Sequence, residues 1–198
     1  MGPAFLFDEQ APAYDANGFH ELVATELVAG LDAPAANVLD VATGTGAAAF
    51  AALRLLEPAR VTAIDLSSGM IERAKQRAAE LDPDGRIDWL TAPAVPAPMS
   101  EKDPVDLVLC ASSLHFLGMA ALADWRRVLR PGGQVAFTLP FAGTFNPSGP
   151  IAEHVATDLP IPSDVDEAAA VAAGFAGVRA RRFESGDRVV FLVYGRKP

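Results

Sequence analysis

The sequence predicts an α/β fold in which helices cover both faces of a mostly parallel, doubly wound sheet. Between residues 38 and 140, short apolar runs of strand length alternate with segments of helical length. A glycine-rich turn separates the first apolar run from the helix after it. The last two apolar runs, 177–184 and 188–197, flank a Ser-Gly-Asp turn that is typical of an antiparallel hairpin. Right-handed crossovers then place the first strand in the centre of the sheet, beside the point where ligands bind.

Length, charge and composition narrow the class of protein further. The 198 residues suffice for one compact core, 51% of them are hydrophobic, and the net charge is −9. This charge argues against a phosphate-binding surface, so no nucleic-acid partner is predicted. No run approaches the ~18 apolar residues of a membrane helix, and no leader pattern is seen, so we predict a cytoplasmic protein without a membrane partner. The single cysteine, Cys110, excludes an intrachain disulfide, and no metal-binding spacing is present.

Local signals mark each predicted element. A helix over 18–31 follows from apolar residues at helical spacing, with Asn17 as its N-cap. Strands are predicted over 38–42, 61–65, 86–90, 105–111 and 133–140, and helices over 47–56, 67–81, 118–129 and 166–175. Pro58 ends the second helix, while a serine at the start and Pro83 just past the end bound the third.

Two segments outside this alternation have their own signals. Residues 141–163 contain four prolines and are predicted to form a loop over the carboxyl edge of the sheet. Arg179 and Arg181 alternate along the strand 177–184, so we expect both on one solvated face rather than in a binding patch.

The turn at residues 43–46 is the strongest local indication of a ligand. Gly44 and Gly46 let the backbone turn sharply and approach a bound group, and the following helix directs free N–H groups at it. The pattern from Gly44 to Ala49 also satisfies the G-x-G-x-x-A motif of dinucleotide-binding proteins. A tight turn without any ligand is the third interpretation.

Two carboxylates and the hairpin separate these interpretations. Asp40 lies inside the first strand, where it can accept from a cationic ligand such as S-adenosylmethionine (SAM) but would repel the diphosphate of a dinucleotide. Asp65 ends the second strand, where its two oxygens can accept from both ribose hydroxyls. The C-terminal hairpin is unlike the continued parallel strands of a dinucleotide domain. These features favour SAM.

The chain resembles the class I, seven-stranded SAM-dependent methyltransferases, especially the ubiquinone/menaquinone C-methyltransferase-like small-molecule group. The resemblance rests on VLDVATGTG, VTAIDLSSGMIERAKQRA, DLVLCASSLHFL and, most specifically, WRRVLRPGGQVAF. It implies a Rossmann-like sheet of order 3-2-1-4-5-7-6 with strand 7 antiparallel. It also implies an N-terminal lid segment and helix over 1–34 and a SAM-binding domain over 35–198.

The resemblance assigns cofactor contacts by position. Asp40 and the turn from Ala42 through Gly44, Thr45 and Gly46 would hold the methionine portion of SAM, with Ala111 beneath it. Asp65 would bind the ribose, Leu66 and Met70 would pack on the adenine, and the Ala94 N–H would meet the adenine ring. The sequence departs from the family at Pro93, where an aspartate usually accepts from the adenine amino group.

A catalytic residue is optional, because positioning alone can supply on the order of 7–11 kcal/mol for transfer from an activated methyl donor. His115, just past the fourth strand, and Tyr14, on the predicted lid, are the candidates, with a buried structural imidazole as the other interpretation of His115. His20 and His154 are expected to be solvated. The short segment after strand 5 implies an acceptor pocket that is open, or completed by the N-terminal helix or by a second subunit in a homodimer.

Several functions stay open on this evidence. The favoured one is methyl transfer to O, N or C of a small-molecule acceptor, such as a secondary metabolite. The alternatives are an enzyme of the same fold that performs non-methylating chemistry, a catalytically silent methyltransferase-like subunit, and a nicotinamide enzyme. The intact glycine turn and Asp65 count against the silent subunit.

Overall fold

The computed structural model describes residues 3–198. The helices are α1 (Pro3–Gln10), α2 (Phe19–Ala29), α3 (Ala47–Leu56), α4 (Ser68–Leu81), α5 (Leu114–Leu117), α6 (Ala120–Val128) and α7 (Val165–Val171), with 3₁₀ helices over Ala11–Asn17 and Gly149–His154. The strands are β1 (Asn37–Val41), β2 (Arg60–Asp65), β3 (Ile87–Thr91), β4 (Val105–Cys110), β5 (Leu129–Pro140), β6 (Ala176–Ser185) and β7 (Arg188–Arg196).

The seven strands form one sheet in the order β3-β2-β1-β4-β5-β7-β6. Strands β1 to β5 pair in parallel, whereas β7 runs antiparallel to both β5 and β6. The predicted fold class, strand order and antiparallel last strand are therefore confirmed. Because the order reverses between β1 and β4, the carboxyl ends of these two strands border a crevice at the edge of the sheet.

Alternating side chains of the strands build two apolar layers, one on each face of the sheet. On one face, Leu39 and Phe137 belong to a cluster with Trp125 of α6 and residues of α7. On the other face, Val38 belongs to a cluster with Leu27 of α2 and residues of α3. Burying each such large apolar side chain stabilises the fold by about 1.5–3 kcal/mol, so the central strands are held from both sides.

Three local predictions were wrong, and one segment had no predicted element. Gly18, with a φ of 63° that favours glycine, occupies the N-cap of α2 in place of Asn17. Residues 3–17 form α1 and a 3₁₀ helix, for which the sequence had no periodic apolar signal. The helix predicted over 118–129 begins at Ala120, behind the separate short helix α5. The proline-rich segment 141–163 contains the 3₁₀ helix Gly149–His154, which a proline begins.

Arg179 and Arg181 share a face, as predicted, but this face is not simply solvated. Arg179 Nη2 donates to the Gly30 carbonyl at 2.6 Å, and Arg181 Nη2 donates to the Glu26 carbonyl at 3.0 Å and to its carboxylate at 2.9 Å. Cations stabilise the negative end of a helix dipole. The two arginines of β6 therefore hold the C-terminal end of α2, a helix that precedes them by about 150 residues.

Candidate active site

A cavity of about 400 Å³, named here the edge cavity, lies at the carboxyl edge of the sheet. The turns after β1, β2 and β4 border it, together with the segment after β3 and the N-terminal helices. Its walls include Asp65, Leu66, Met70, Pro93 and Ala94. The structure thus brings the four predicted ribose and adenine contacts together and places Pro93 beside them.

Asp65 connects the glycine turn to the start of α4. One of its oxygens accepts from the Gly44 N–H at 2.8 Å, and the other accepts from the Ser67 N–H at 2.9 Å. Burial raises the pKa of this carboxyl group, which these backbone hydrogen bonds counteract. A carboxylate has about four acceptor sites in total, so the Asp65 carboxylate retains capacity to accept from a ribose hydroxyl.

Gly46 serves the packing of the turn. Its φ is 90°, and an added Cβ would lie 2.6 Å from Trp89 Cη2 and 2.8 Å from Phe50 Cε2. Gly44 lines the edge cavity, whereas Gly46 is not among its wall residues. Its predicted contact with the cofactor therefore stays a prediction.

Two residues at the crevice have left-handed backbone conformations without being glycine. Ala42, after β1, has a φ of 52°, and Ser112, after β4, has a φ of 61°. Such conformations cost about 1–3 kcal/mol and are concentrated at functional sites. Ser112 lines the edge cavity, and its buried Oγ has no hydrogen-bond partner. Backbone strain at a serine has no local sequence signal, so the strained conformation of Ser112 could not be predicted.

A small second cavity of about 20 Å³, the inner cavity, continues from the edge cavity past Ala42 and Gly44. Asp40, Thr45 and Ala111 line it, as the predicted methionine contacts should. Asp40 Oδ2 accepts from Thr43 Oγ1 at 2.5 Å, while the buried Oδ1 has no partner. Burial raises the pKa of Asp40 from its usual 3.8 to about 7. An ammonium group placed here would supply the missing donor and favour the carboxylate form.

We expect the affinity for SAM to depend on pH through Asp40. Ionised Asp40 attracts the SAM ammonium group, and the protonated form does not, so affinity should fall as the pH drops below about 7. Because one proton is linked to binding, the affinity can change by at most about tenfold for each pH unit. Calorimetric titrations at several pH values around 7 measure how steeply the affinity for SAM changes with pH. Asp40→Asn, which cannot ionise, should bind SAM weakly, and its affinity should change little with pH. An equal slope in both proteins would contradict the assignment.

Two carboxylates hold the N-terminal helices over these cavities. Asp8 Oδ1 of α1 accepts from Ser67 Oγ at 2.6 Å and from the Gly69 N–H at 2.7 Å, at the N-terminal end of α4. Asp15 Oδ1 accepts from Thr45 Oγ1 at 2.5 Å, and the Asp15 carboxylate pairs with Arg73 and Arg77 of α4. The segment predicted as a lid therefore closes on α4 through charged contacts.

A third cavity of about 280 Å³, the aromatic cavity, lies between the N-terminal helices and α5. Its walls include the rings of Phe7, Phe19, Phe116 and Phe145 and the imidazoles of His20 and His115; among the described residues that line it, none carries a carboxylate, an ammonium or a guanidinium group. Tyr14 lines all three cavities. The aromatic cavity is thus a separate apolar pocket that reaches the cofactor cavities at Tyr14.

The candidate catalytic side chains meet around this pocket. Burial raises the pKa of Tyr14 to about 12, with the nearby Asp65 carboxylate adding to the effect. Burial lowers the pKa of His115 to about 4. His20 was expected to be solvated, which is wrong, because Tyr14 of the 3₁₀ helix stacks on its ring and its Nδ1 is buried. His154 was likewise expected in solvent, but it lines the edge cavity.

Unpartnered polar atoms are concentrated at these cavities. Among the residues that the structure describes, six buried side-chain nitrogen or oxygen atoms lack a hydrogen-bond partner. Four of the six border the cavities, namely Asp40 Oδ1, His20 Nδ1, His115 Nδ1 and Ser112 Oγ. Because buried polar atoms are almost always hydrogen-bonded, this concentration indicates a place where bound molecules supply the partners.

Two other features, a metal-binding cluster and a membrane-spanning helix, are absent from residues 3–198. No group of three or more histidine, cysteine or acidic side chains could hold a metal ion within this part of the chain. No helix in the same range is long and apolar enough to cross a membrane.

Known proteins share both the sequence pattern and the fold. A family described as a methyltransferase domain matches residues 38–133. The ubiquinone/menaquinone biosynthesis C-methyltransferase UbiE of Geotalea daltonii is 37% identical over 106 residues, which make up 52% of this chain and 45% of that protein. UbiE of Paracoccus denitrificans is 33% identical over 140 residues, or 66% and 55% of the two chains. The chain spans about half the length of these relatives.

A solved structure extends the likeness to the whole fold. The N-methyltransferase NodS from Bradyrhizobium japonicum, in complex with S-adenosyl-L-homocysteine, matches 98% of both chains with a TM-score of 0.72 and 20% sequence identity. S-adenosyl-L-methionine is the cofactor of such methyltransferases, and the unpartnered Asp40 oxygen and the free acceptor sites of Asp65 fit its ammonium group and ribose. Residues 38–133 thus match a methyltransferase domain, and the chain has the seven-stranded sheet order of the class I SAM-dependent methyltransferase fold.

Proposed function

We propose that the protein transfers the methyl group of SAM to a small-molecule acceptor bound in the aromatic cavity. The observation that carries this proposal is the meeting of three cavities at Tyr14. Two of them suit the parts of SAM, and the third is apolar and suits an acceptor. SAM, when bound, supplies an activated methyl group on a sulfonium centre, so the chain has to align the acceptor and exclude water.

The side chains support this division of roles. Asp65 holds the ribose, with Leu66 and Met70 on the adenine and the Ala94 N–H at the ring edge. Asp40 holds the ammonium group beside Ala42, Gly44, Thr45, Gly46 and Ala111. Tyr14 keeps its phenol protonated, because its pKa is about 12, so it acts as a hydrogen-bond donor or a wall at the transfer point. His115 contacts the acceptor from the far side of the aromatic cavity.

The arrangement of the lid follows from the same contacts. Residues 1–34 act as lid segment and helix, and residues 35–198 form the cofactor-binding domain; residues 1 and 2 lie outside the described part of the chain. The described part of the N-terminal segment already completes the aromatic cavity from within one chain, through Phe7, Tyr14 and His20. A second subunit is therefore not required to close the pocket.

The alternative functions are weaker on physical grounds. A dinucleotide would bring its diphosphate toward the glycine turn, where the buried Asp40 would repel it. A silent subunit would have no need for four unpartnered polar atoms at its cavities. Non-methylating chemistry in the same pocket is the remaining alternative, and Pro93, in place of the usual adenine-binding carboxylate, is the feature that favours it.

Calorimetry and a transfer assay test the proposal. The purified chain should bind SAM and S-adenosyl-L-homocysteine but not NADH. Incubation with methyl-labelled SAM and a panel of phenols, amines and activated carbon acceptors should yield S-adenosyl-L-homocysteine and a methylated product in equal amounts. Binding of NADH, or binding of SAM without transfer to any member of the panel, would count against a methyltransferase and favour the alternatives.

A further inference from the structure

His20 occupies the junction between the cofactor side and the acceptor side of the site. Among the described residues that line cavities, only Tyr14 and His20 border both the inner cavity and the aromatic cavity. Their rings stack, with centroids 4.7 Å apart and planes 12° from parallel. Because the methyl group must pass from one cavity to the other, these two rings flank the transfer point.

Of the side chains near this point, His20 is the one suited to accept a proton. Tyr14 holds its own proton at neutral pH, since its pKa is raised to about 12. His115 lines only the aromatic cavity, where its ring centroid lies 4.0 Å from that of Phe116 and 5.2 Å from that of Phe145. The Nδ1 of His20 is buried without a hydrogen-bond partner.

Charged and titratable groups from several elements face His20. Together with burial, their net effect is to keep its imidazole neutral. Burial is the main cause that lowers the pKa of His20, and the Arg188 guanidinium group of β7 lowers it further. The Asp15 carboxylate of the N-terminal 3₁₀ helix raises the pKa of His20. Tyr14 stacks on the imidazole, and His115 of α5 interacts with it across the aromatic cavity. A neutral imidazole at neutral pH is the form that a base requires.

The walls of the aromatic cavity also narrow the class of acceptor. An amine acceptor is a cation at neutral pH, and none of the described residues that line this cavity offers it a carboxylate. An uncharged ring compound with a hydroxyl group fits the apolar rings, and its O–H can donate to the unpartnered imidazole. The lining therefore favours an uncharged ring with a hydroxyl group over a cationic alkylamine.

We propose that His20 is the general base of an O-methyl transfer, taking the proton of a hydroxyl group on an uncharged aromatic acceptor. The acceptor oxygen forms a bond to the methyl carbon as the carbon–sulfur bond breaks, its electron pair stays on sulfur, and the hydroxyl proton moves to the imidazole of His20. The products are the methyl ether, S-adenosyl-L-homocysteine and a proton that His20 passes to solvent. This inference rests on the proposed function.

4-Nitrophenol tests the proposed role of His20 directly. The nitrophenolate anion absorbs visible light and the phenol does not, so absorbance reports how much of the bound phenol is ionised. With S-adenosyl-L-homocysteine present, the wild-type protein should lower the apparent pKa of bound nitrophenol by about one unit relative to His20→Phe, which corresponds to a tenfold change in ionisation. His20→Phe keeps a ring on Tyr14 and removes both nitrogens. His115→Phe removes the other imidazole of the aromatic cavity, so a loss of the shift in this variant alone would identify His115 as the base in place of His20. Arg188→Gln should increase ionisation further, which a purely structural role of His20 would not produce.

The wild type alone gives a second measurement that needs no variant to fold. The chain contains three histidines, so their imidazole resonances can be followed separately, and that of His20 should become protonated when nitrophenol binds. Equal ionisation with wild type and His20→Phe, loss of the shift only in His115→Phe, or no bound nitrophenol would each overturn the inference. Calorimetry on the same samples distinguishes failure of this inference from failure of the proposed function. Failure to bind S-adenosyl-L-homocysteine would overturn the proposed function.

Discussion

Replacing Asp65 by alanine is expected to weaken SAM binding at least tenfold. The carboxylate retains capacity to accept from a ribose hydroxyl, and a hydrogen bond to a charged group contributes about 1.5–3 kcal/mol. Removing the side chain also frees the Gly44 and Ser67 N–H groups that shape the site. Calorimetric titration with SAM gives the affinity, and thermal unfolding gives the stability.

The chain provides a matched control for the structural part of this effect. Asp82 is buried to the same degree and also accepts from two backbone N–H groups, those of Arg86 and Ile87, but it is not among the wall residues of the three cavities. Asp82→Ala should therefore lose stability while its SAM affinity stays close to that of the wild type. A similar loss of affinity in both variants, or none in Asp65→Ala, would sink the ribose assignment.

Replacing Gly46 by alanine is expected to destabilise the protein strongly. A left-handed conformation costs an alanine about 1–2 kcal/mol, and crowding against Trp89 and Phe50 adds about 1–3 kcal/mol of overpacking. The glycine turn would have to move to relieve these contacts, so SAM affinity should fall as well. Chemical denaturation and calorimetry measure the two effects.

Gly85→Ala separates strain from crowding. Gly85 has a comparable positive φ of 66°, but nothing lies within 4 Å of an added Cβ. This control should show the conformational cost alone and bind SAM normally. If Gly46→Ala costs no more stability than Gly85→Ala, the rings of Trp89 and Phe50 do not require glycine in the turn.

The fold could be predicted from the sequence because its signals are local. Buried strands, turn glycines and capping serines each act within a few residues, and the order of the strands follows from the chirality of the crossovers and from the family resemblance. The position of Asp65 at the carboxyl edge of the sheet could be predicted for the same reason, since the carboxyl ends of neighbouring parallel strands meet at one edge. Ser67, predicted at the start of a helix, indeed caps α4 by accepting from the Met70 N–H.

The parts that could not be predicted depend on distant contacts. His20 belongs to the buried face of α2, since Val23, Ala24 and Leu27 follow it at helical spacing and are buried. The sequence spacing alone does not identify this face, because the apolar Leu22 on the same helix is 42% exposed. The partners of Arg179 and Arg181 are equally remote in sequence. The alternation of side chains along β6 therefore predicted that both arginines lie on one face of the sheet, but not that they bind the end of α2.

The closure of the N-terminal helices links cofactor exchange to catalysis. The Tyr14–His20 stack borders the inner cavity, whose volume of about 20 Å³ is too small for the amino-acid portion of SAM, so this segment has to open when the cofactor enters and when its product leaves. Opening would break the contacts of Asp8 and Asp15 with α4, and closing would restore them. If the proposed function holds, we expect turnover to follow a cycle of opening and closing, in which the strength of these charged contacts sets how long each product stays bound.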